Sequence, residues 1–526
     1  MKSNLNLAIS HDTGFQRHLY GLDTAAPSDY LLSATFIKDW VTISRPAQRT
    51  MIMSEVQPTI HVLSKAQAES IHRYSLEILS RVGMRVDSAR AHKLFARALT
   101  VSENDKIIRI PAELVERALA TAPSVIDIYD RLGNLRFQLG KTARRQTRFG
   151  IGVTNLYYQD PLTDAVMPFA RRHMALATRL GGVLSNFDVV STVGIVQDIS
   201  PQIADLYGTL EMTANTTKPL VLLISEKQCF DAALDLLEHL HGDLSLKPFV
   251  LPYFNPITPL VLNKDTTDNM FSAIERGLPF IYNNYGMSGA TAPITAAGNL
   301  ALLNAELLAG LVFSQLVKAG TPIVLGSLPA GFNMQSMASV YTPQTLLLNI
   351  ACAEMMAYYG LPHSGTSGCA PGWGADLSAA GTLWLNHLTA DLGNVGLAPF
   401  VGGNFDSMVF SPALVVYSDE VIRQARLFKQ GLVINDESVA IDEIESIGPG
   451  GNFLISDQTV RYCRQFDFNS SIWPQLTLEK WQAQGRPGAD QVLRQHTCRL
   501  LEDLRAPEDQ AQLIARGEKY IHQITT

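Results

Sequence analysis

The chain has 526 residues, 46% of them hydrophobic and 17% charged, with a formal net charge of −7. That length and balance exclude a disordered chain and leave room for one large domain with additions or for several ordinary ones. A negative chain without a Lys/Arg-rich stripe has nothing to displace the counterions of a polyanion, which excludes a nucleic-acid partner.

Five cysteines, Cys229, Cys352, Cys369, Cys463 and Cys498, stand far apart and are odd in number. This favours a reducing, cytoplasmic compartment over a disulfide framework. The opening MKSNLNLAISHDTGFQRH lacks the apolar core of a signal peptide, and residues 1–55 read as an N-terminal arm or an overcalled start. No stretch reaches the roughly 18 uninterrupted apolar residues of a membrane span, so no membrane contact is expected. Ser64 with Gln67 makes a capping box, and Ile71, Tyr74, Ile78, Leu79 and Val82 supply an apolar face. Together they predict a helix closed at Gly83. Residues 88–145 give two shorter helices and a strand-rich patch over 125–139, so 56–146 is expected to form a helical cap.

From about residue 147 short apolar runs recur, each followed by a stretch of helical period: 148–153, 187–195, 220–224, 249–254, 280–284, 323–327, 362–366 and 398–402. Helices are predicted at 299–318 and at 344–359, the second closed by Gly360. Eight strand–helix repeats predict an α/β chain with a closed (β/α)8 TIM-type barrel over 147–435, in preference to an open sheet. Residues 436–526 are then a C-terminal extension packed on the barrel. The apolar face over 300–312 suggests a homo-oligomer, although core packing explains it equally well.

Chemistry is expected at the C-terminal ends of the strands. The residues there are mostly aromatics and amides: Asn155, Tyr157, Tyr158, Gln197, Tyr253 to Asn255, Tyr282 to Tyr285, and the stretches 363–373 and 400–405. His363 with Cys369 is two ligands short of a zinc site, so no metal is expected, and His363 reads equally well as a hydrogen-bonded core histidine. Rings lining a mouth suit a ligand cation, while aromatics also fill barrels for no reason but volume. Lys227, the one lysine placed to form a Schiff base, stands beside Glu226 and is expected to stay paired and charged. The glycines of VGGNF (401–405) follow the last strand, where barrels often bind phosphate. A lyase or isomerase for a phosphorylated small molecule is therefore an alternative. GIGVTN (150–155) lacks the third glycine of a dinucleotide fingerprint.

Residues 255–327, which include NYGMSGATAPITAAG (284–298), resemble the trimethylamine methyltransferase family. So do YYGLPHSGTSGCAPGWGAD (358–376), IGPGGNFL (447–454) and HRYSLEILSRVGMRV (72–86), and the likeness extends over about residues 60–520. The resemblance implies a barrel enzyme that passes a methyl group from a methylated amine to the cobalt of a separate corrinoid (cobalamin) protein, with no tightly bound cofactor of its own. Archaeal trimethylamine enzymes carry pyrrolysine in the segment that looks like 368–374 here. This chain has only standard residues there, with Trp373 in place of a commoner polar filling. Relatives without pyrrolysine include enzymes that demethylate quaternary amines such as glycine betaine.

On that reading Tyr253, Tyr285, Trp373 and Phe400 are candidates for an aromatic cage, placed by strand-end position. Asn283, Asn284 and His363 are candidates to hydrogen-bond a substrate carboxylate. Gly286, Gly289 and Ala290 are candidates for a low rim facing the corrinoid, with close helix–strand packing as the other use of such glycines. No catalytic side chain is assigned. A quaternary amine binding protein without turnover is the third reading.

Overall fold

The computed structural model describes residues 56–99, 105–141, 146–466 and 468–525. The expected N-terminal arm, 1–55, lies outside the described residues. Eight parallel strands form the centre: β1 (Arg148–Ile151), β2 (Val189–Ser191), β3 (Leu220–Leu222), β4 (Val250–Phe254), β5 (Phe280–Ser288), β6 (Ile323–Asn333), β7 (His363–Ser364) and β8 (Leu397–Val401). They pair in the order β5-β4-β3-β2-β1-β8-β7-β6, and β6 returns to β5, which closes the barrel. All eight fall inside the predicted apolar runs or extend them.

Eight helices follow the strands: α1 (Arg171–Val183), α2 (Pro201–Asn215), α3 (Cys229–His241), α4 (Lys264–Glu275), α5 (Ala296–Val317), α6 (Pro343–Tyr359), α7 (Leu377–Leu392) and α8 (Pro412–Lys429). The local signals are physical ones. Thr342 caps α6 by accepting from the Thr345 amide, Pro343 occupies its first turn, and Gly360 ends it in the left-handed region at φ 70°. Thr295 caps α5, which begins at Ala296, three residues before the predicted start. That helix is apolar on all sides and long enough to cross a membrane, but 89% of its most apolar window is buried inside the protein. The N-terminal helices cover it: Ser75 Oγ donates to the Ala301 carbonyl and accepts from Asn304 Nδ2. Packing within the chain thus accounts for the apolar face over 300–312.

Between the N-terminal helices and β1, strands Val125–Tyr129 and Leu135–Gly140 pair as an antiparallel hairpin. Ile126 lies opposite Leu139, and Ile128 opposite Phe137, so four apolar side chains share one face. They pack with Val189, Val221, Leu251, Ile281, Val324 and Leu397 as one cluster, and so plug the N-terminal end of the barrel. Burial of this kind stabilises by about 1.5–3 kcal/mol per large apolar side chain. The last two helices of the extension, Ala489–Asp503 and Gln510–Thr525, pack on the outside. Ion pairs pin them there, Arg494 to Asp164 at 2.7 Å and Arg171 to Glu518 at 2.7 Å.

Two strands run past the barrel. β5 and β6 stay paired from Asn284 with Ser327 to Ser288 with Gly331, and Ala338–Val340 adds antiparallel to the end of β6. The predicted strands stop at 284 and 327 because the apolar runs stop there. Backbone pairing continues where the side chains no longer report burial, and this projecting arm overhangs one side of the mouth.

Candidate functional site

Register decides which side chains enter the barrel, because alternate residues of a strand face opposite ways. Asn283 pairs with Gly326, Gly326 with Ser364, and Ser364 with Leu397, a residue of the interior cluster. That row faces inward. Leu325 and His363 pair one step away and face the helices.

The inner face at the C-terminal end is therefore built from Tyr253, Asn283, Ser364 and Phe400, with Val153, Leu223 and Leu328 partly buried above the plug cluster. The rings of Tyr253 and Phe400 meet edge to face with centroids 5.1 Å apart. Asn283 Nδ2 donates to Ser364 Oγ at 3.3 Å, and its Oδ1 has no partner. Gly326 makes this possible: a Cβ there would lie 2.4 Å from Asn283 Oδ1 and 1.7 Å from the Ser364 carbonyl oxygen. Two rows higher on β5, Tyr285 also faces inward. Its hydroxyl is within hydrogen-bonding reach of Ser339 and Tyr341 on the arm. Burial raises the hydroxyl pKa of Tyr253, Tyr285 and Tyr341, so all three stay protonated and neutral. None of these lining side chains is Lys or Arg.

The loop after β8 closes this wall. Phe405, Asp406 and Ser407 are three consecutive non-glycine residues in the left-handed region, at φ 47°, 54° and 73°. Such a run is costly and persists only where the surroundings impose it. Here Phe405 N donates to the Gly372 carbonyl, Asp406 N to that of Ala370, and Asn155 Nδ2 to that of Ser407 at 2.7 Å. The Asp406 carboxylate accepts from Ser339 Oγ, which ties the loop to the arm. Burial, partly offset by that bond, raises its pKa. Ser407 Oγ donates to Cys369, whose thiol burial pushes up to about 12, too high for a thiolate nucleophile near neutral pH.

Several sequence candidates lie elsewhere. Asn284 faces outward, where its Nδ2 donates to the Leu303 carbonyl and to Glu306 Oε2, both at 2.8 Å. His363 is on the outer face, with Nδ1 2.6 Å from the Val395 carbonyl, and burial lowers its pKa to about 4. Trp373 is 77% exposed. Its main chain is fixed by Asp376 Oδ2 and Gln159 Nε2 while its ring stays in solvent. Gly286 also faces outward: a Cβ there would meet Leu303 Cδ2 at 2.7 Å, so close packing of α5 explains it. Gly289 turns the chain at φ 90° beside an exposed Ala290, beyond the end of β5. The structure thus brings together Tyr253, Asn283, Tyr285 and Phe400. It adds Tyr341 and Asp406, which strand-end reasoning missed because they stand on the arm and in a loop. The turn-forming residues Asn404, Asp406 and Ser407 after two glycines are the available signal.

The phosphate reading fails on donors. The Gly402 amide is taken by the Gly368 carbonyl, Gly403 pairs with Phe410, and a Cβ at Gly402 would strike Val415 Cγ2 at 2.4 Å. Lys227 is ion-paired with Asp265 at 2.6 Å. Among the described residues no three His, Cys, Asp or Glu side chains group as metal ligands.

Comparison with known proteins places this geometry. The family model described as trimethylamine methyltransferase (MTTB) matches residues 41–523. A trimethylamine methyltransferase of Desulfitobacterium hafniense is 28% identical over 457 residues, covering 86% of this chain and 91% of that protein. One from Methanosarcina acetivorans is 26% identical over 480 residues, covering 87% and 96%. A glycine betaine methyltransferase of D. hafniense is 24% identical over 440 residues, covering 82% and 90%. The chain belongs to the trimethylamine methyltransferase family.

Proposed function

We propose that the protein transfers a methyl group from a quaternary amine to the Co(I) of a corrinoid carried by a partner protein. The observation that supports this most directly is the neutral, ring-lined inner face: Tyr253 against Phe400, with Tyr285 above and no basic side chain among them. A permanently charged ammonium gains from ring faces what it loses in hydration, while its methyl groups make apolar contact. Asn283 Oδ1, buried on the same face without a hydrogen-bond partner, adds a partial negative charge there.

A tertiary amine leaves poorly until its nitrogen is made cationic, whereas a quaternary nitrogen already carries the charge. The segment 368–374 offers only standard residues, Gly-Cys-Ala-Pro-Gly-Trp-Gly. The cobalt, when supplied, provides the electron pair that displaces the amine. This chain's residues hold the cation, keep water from the reacting carbon and fix which methyl faces outward, all matters of orientation and desolvation. Because the hairpin closes the other end, a methyl group can leave only through the mouth.

An exposed apolar rim suits a partner there. Trp373, Leu377, Met334 and Met337 are between 64% and 93% exposed. They stand on the loop after β7, at the first residue of α7 and at the tip of the arm, and the Ser339–Asp406 contact ties the arm to the loop after β8. Such a surface marks protein contact more often than bare solvent exposure.

The test is a panel of glycine betaine, choline, tetramethylammonium and trimethylamine with Co(I) corrinoid, following loss of the Co(I) absorbance and appearance of the demethylated amine. Demethylation of at least one quaternary amine, and faster than of trimethylamine, is expected. No product from any of the quaternary compounds overturns the reading.

A further inference from the structure

We infer that Asp406 is the counter-charge of the site and that the ligand it selects is a net cation rather than a zwitterion. This rests on the quaternary amine reading and narrows it. The described inner face supplies rings, amides and hydroxyls, which accept a cation but do not distinguish one with an attached carboxylate from one without. Asp406 adds the missing term. Its carboxylate is held by Ser339 of the arm and lies close enough to Tyr285, Tyr341 and Cys369 to perturb all three electrostatically. Tyr285 and Tyr341 belong to the wall that a mouth-bound ligand meets. Ser339, which holds the carboxylate, is also within hydrogen-bonding reach of Tyr285, so the charge is joined to that wall through the arm.

The backbone argues that this position is imposed. Three successive left-handed residues place the carboxylate, and the amides of Phe405 and Asp406, with Asn155, fix the loop to the segment after β7 and to the end of β1. A loop of this length has cheaper conformations available, so the surroundings spend packing and hydrogen bonds to keep this one. Among the described residues no Lys or Arg is bonded to Asp406, and a serine hydroxyl partners its charge without neutralising it. A half-buried carboxylate with only a neutral partner attracts a cation, and it repels the carboxylate of a betaine bound in the same mouth. Selectivity for choline-like or tetraalkyl cations over glycine betaine follows.

The same charge bears on rate. As the methyl group leaves, the C–N electron pair stays on nitrogen and the amine becomes neutral, so the positive charge fades along the reaction. Asp406 stabilises the bound substrate more than the transition state, so its removal should raise KM and kcat together and change kcat/KM less than binding.

Calorimetric binding to the full chain tests this with tetramethylammonium, choline, glycine betaine and 3,3-dimethyl-1-butanol, the uncharged isostere of choline. Asp406→Asn is expected to weaken the two cations roughly tenfold, the scale of one charge pair near a protein surface. It should leave the uncharged isostere unchanged and bind glycine betaine as well as or better than the wild type. Ser339→Ala, which frees the carboxylate without removing it, should keep or tighten cation binding, and it serves if the Asn variant misfolds. Equal weakening of cations and isostere, or no change for the cations, overturns the role of Asp406 alone. Wild-type protein that binds none of the ammonium ions overturns the quaternary amine reading and this inference with it.

Discussion

The two ends of the barrel are made by the same eight strands and have opposite chemistry. At the N-terminal end, Ile126, Ile128, Phe137 and Leu139 of one hairpin fill the opening with aliphatic and aromatic bulk. At the other end stand Tyr253, Tyr285, Tyr341, Asn283 and Asp406, together with a loop held in left-handed backbone. Packing at the first end is free of polar side chains. The recognition we propose lies at this second end, where polar atoms are buried at a cost, and the difference between the ends can be measured.

The largest effect belongs to the plug. Phe137→Ala leaves a cavity where a ring 6% exposed now packs, and is expected to cost about 3–5 kcal/mol in urea denaturation. Amine affinity at a permissive temperature should be unchanged, because the ring is at the far end from the mouth. A large loss of affinity in protein that remains folded would break the division between the two ends.

Next comes the charge buried behind β5. Glu306 is fully buried on α5 and accepts from Leu260 N at 2.6 Å, Thr258 Oγ1 at 2.9 Å and Asn284 Nδ2 at 2.8 Å. Burial, only partly offset by those bonds, raises its pKa from 4.5 to about 7. Between these values the native state binds more protons than the unfolded one. This contribution is therefore fully present below about pH 4.5 and is lost as pH rises to about 7. The loss amounts to roughly 3 kcal/mol. Glu306→Gln should remove that slope, seen as a stability difference from wild type that shifts in favour of the variant between the two pH values. Parallel curves would show that the carboxylate stays ionised.

These groups also show how far the sequence could be read. Apolar runs at βα spacing revealed all eight strands, because burial on both faces leaves an unbroken hydrophobic signal. Which face a given residue takes was not legible. Asn283 and Asn284 are adjacent and chemically identical, yet one faces the mouth and the other anchors Glu306. Only register separates them, and one residue of slip exchanges the two. Tyr341 and Asp406 escaped for a different reason: they reach the site from an arm and a loop, whose path no periodicity reports. The motif glycines were visible, but Gly286 serves helix packing.

A smaller effect is expected from the cage. Tyr253→Leu keeps apolar volume and removes a ring face, so tetramethylammonium affinity should fall roughly three- to thirtyfold, the range of a partly desolvated cation–π contact. Binding of 3,3-dimethyl-1-butanol should fall far less. Equal losses for both ligands would mean that Tyr253 contributes shape alone.

The smallest change distinguishes the cage from its rim. Trp373 is 77% exposed, and its local hydrogen bonds run through its main chain to Asp376 and Gln159. Trp373→Ala therefore removes a solvent-facing ring and keeps the loop's fixings, and it should change stability by less than about 0.5 kcal/mol. Amine affinity should stay at the wild-type value, because the ring lies outside the inner face that holds Tyr253 and Phe400. If the rim receives a partner protein, turnover measured against that protein should show a higher KM for it, while free corrinoid is used as before. If amine affinity drops instead, the ring folds into the mouth when ligand binds, and the boundary between cage and rim moves outward by one loop.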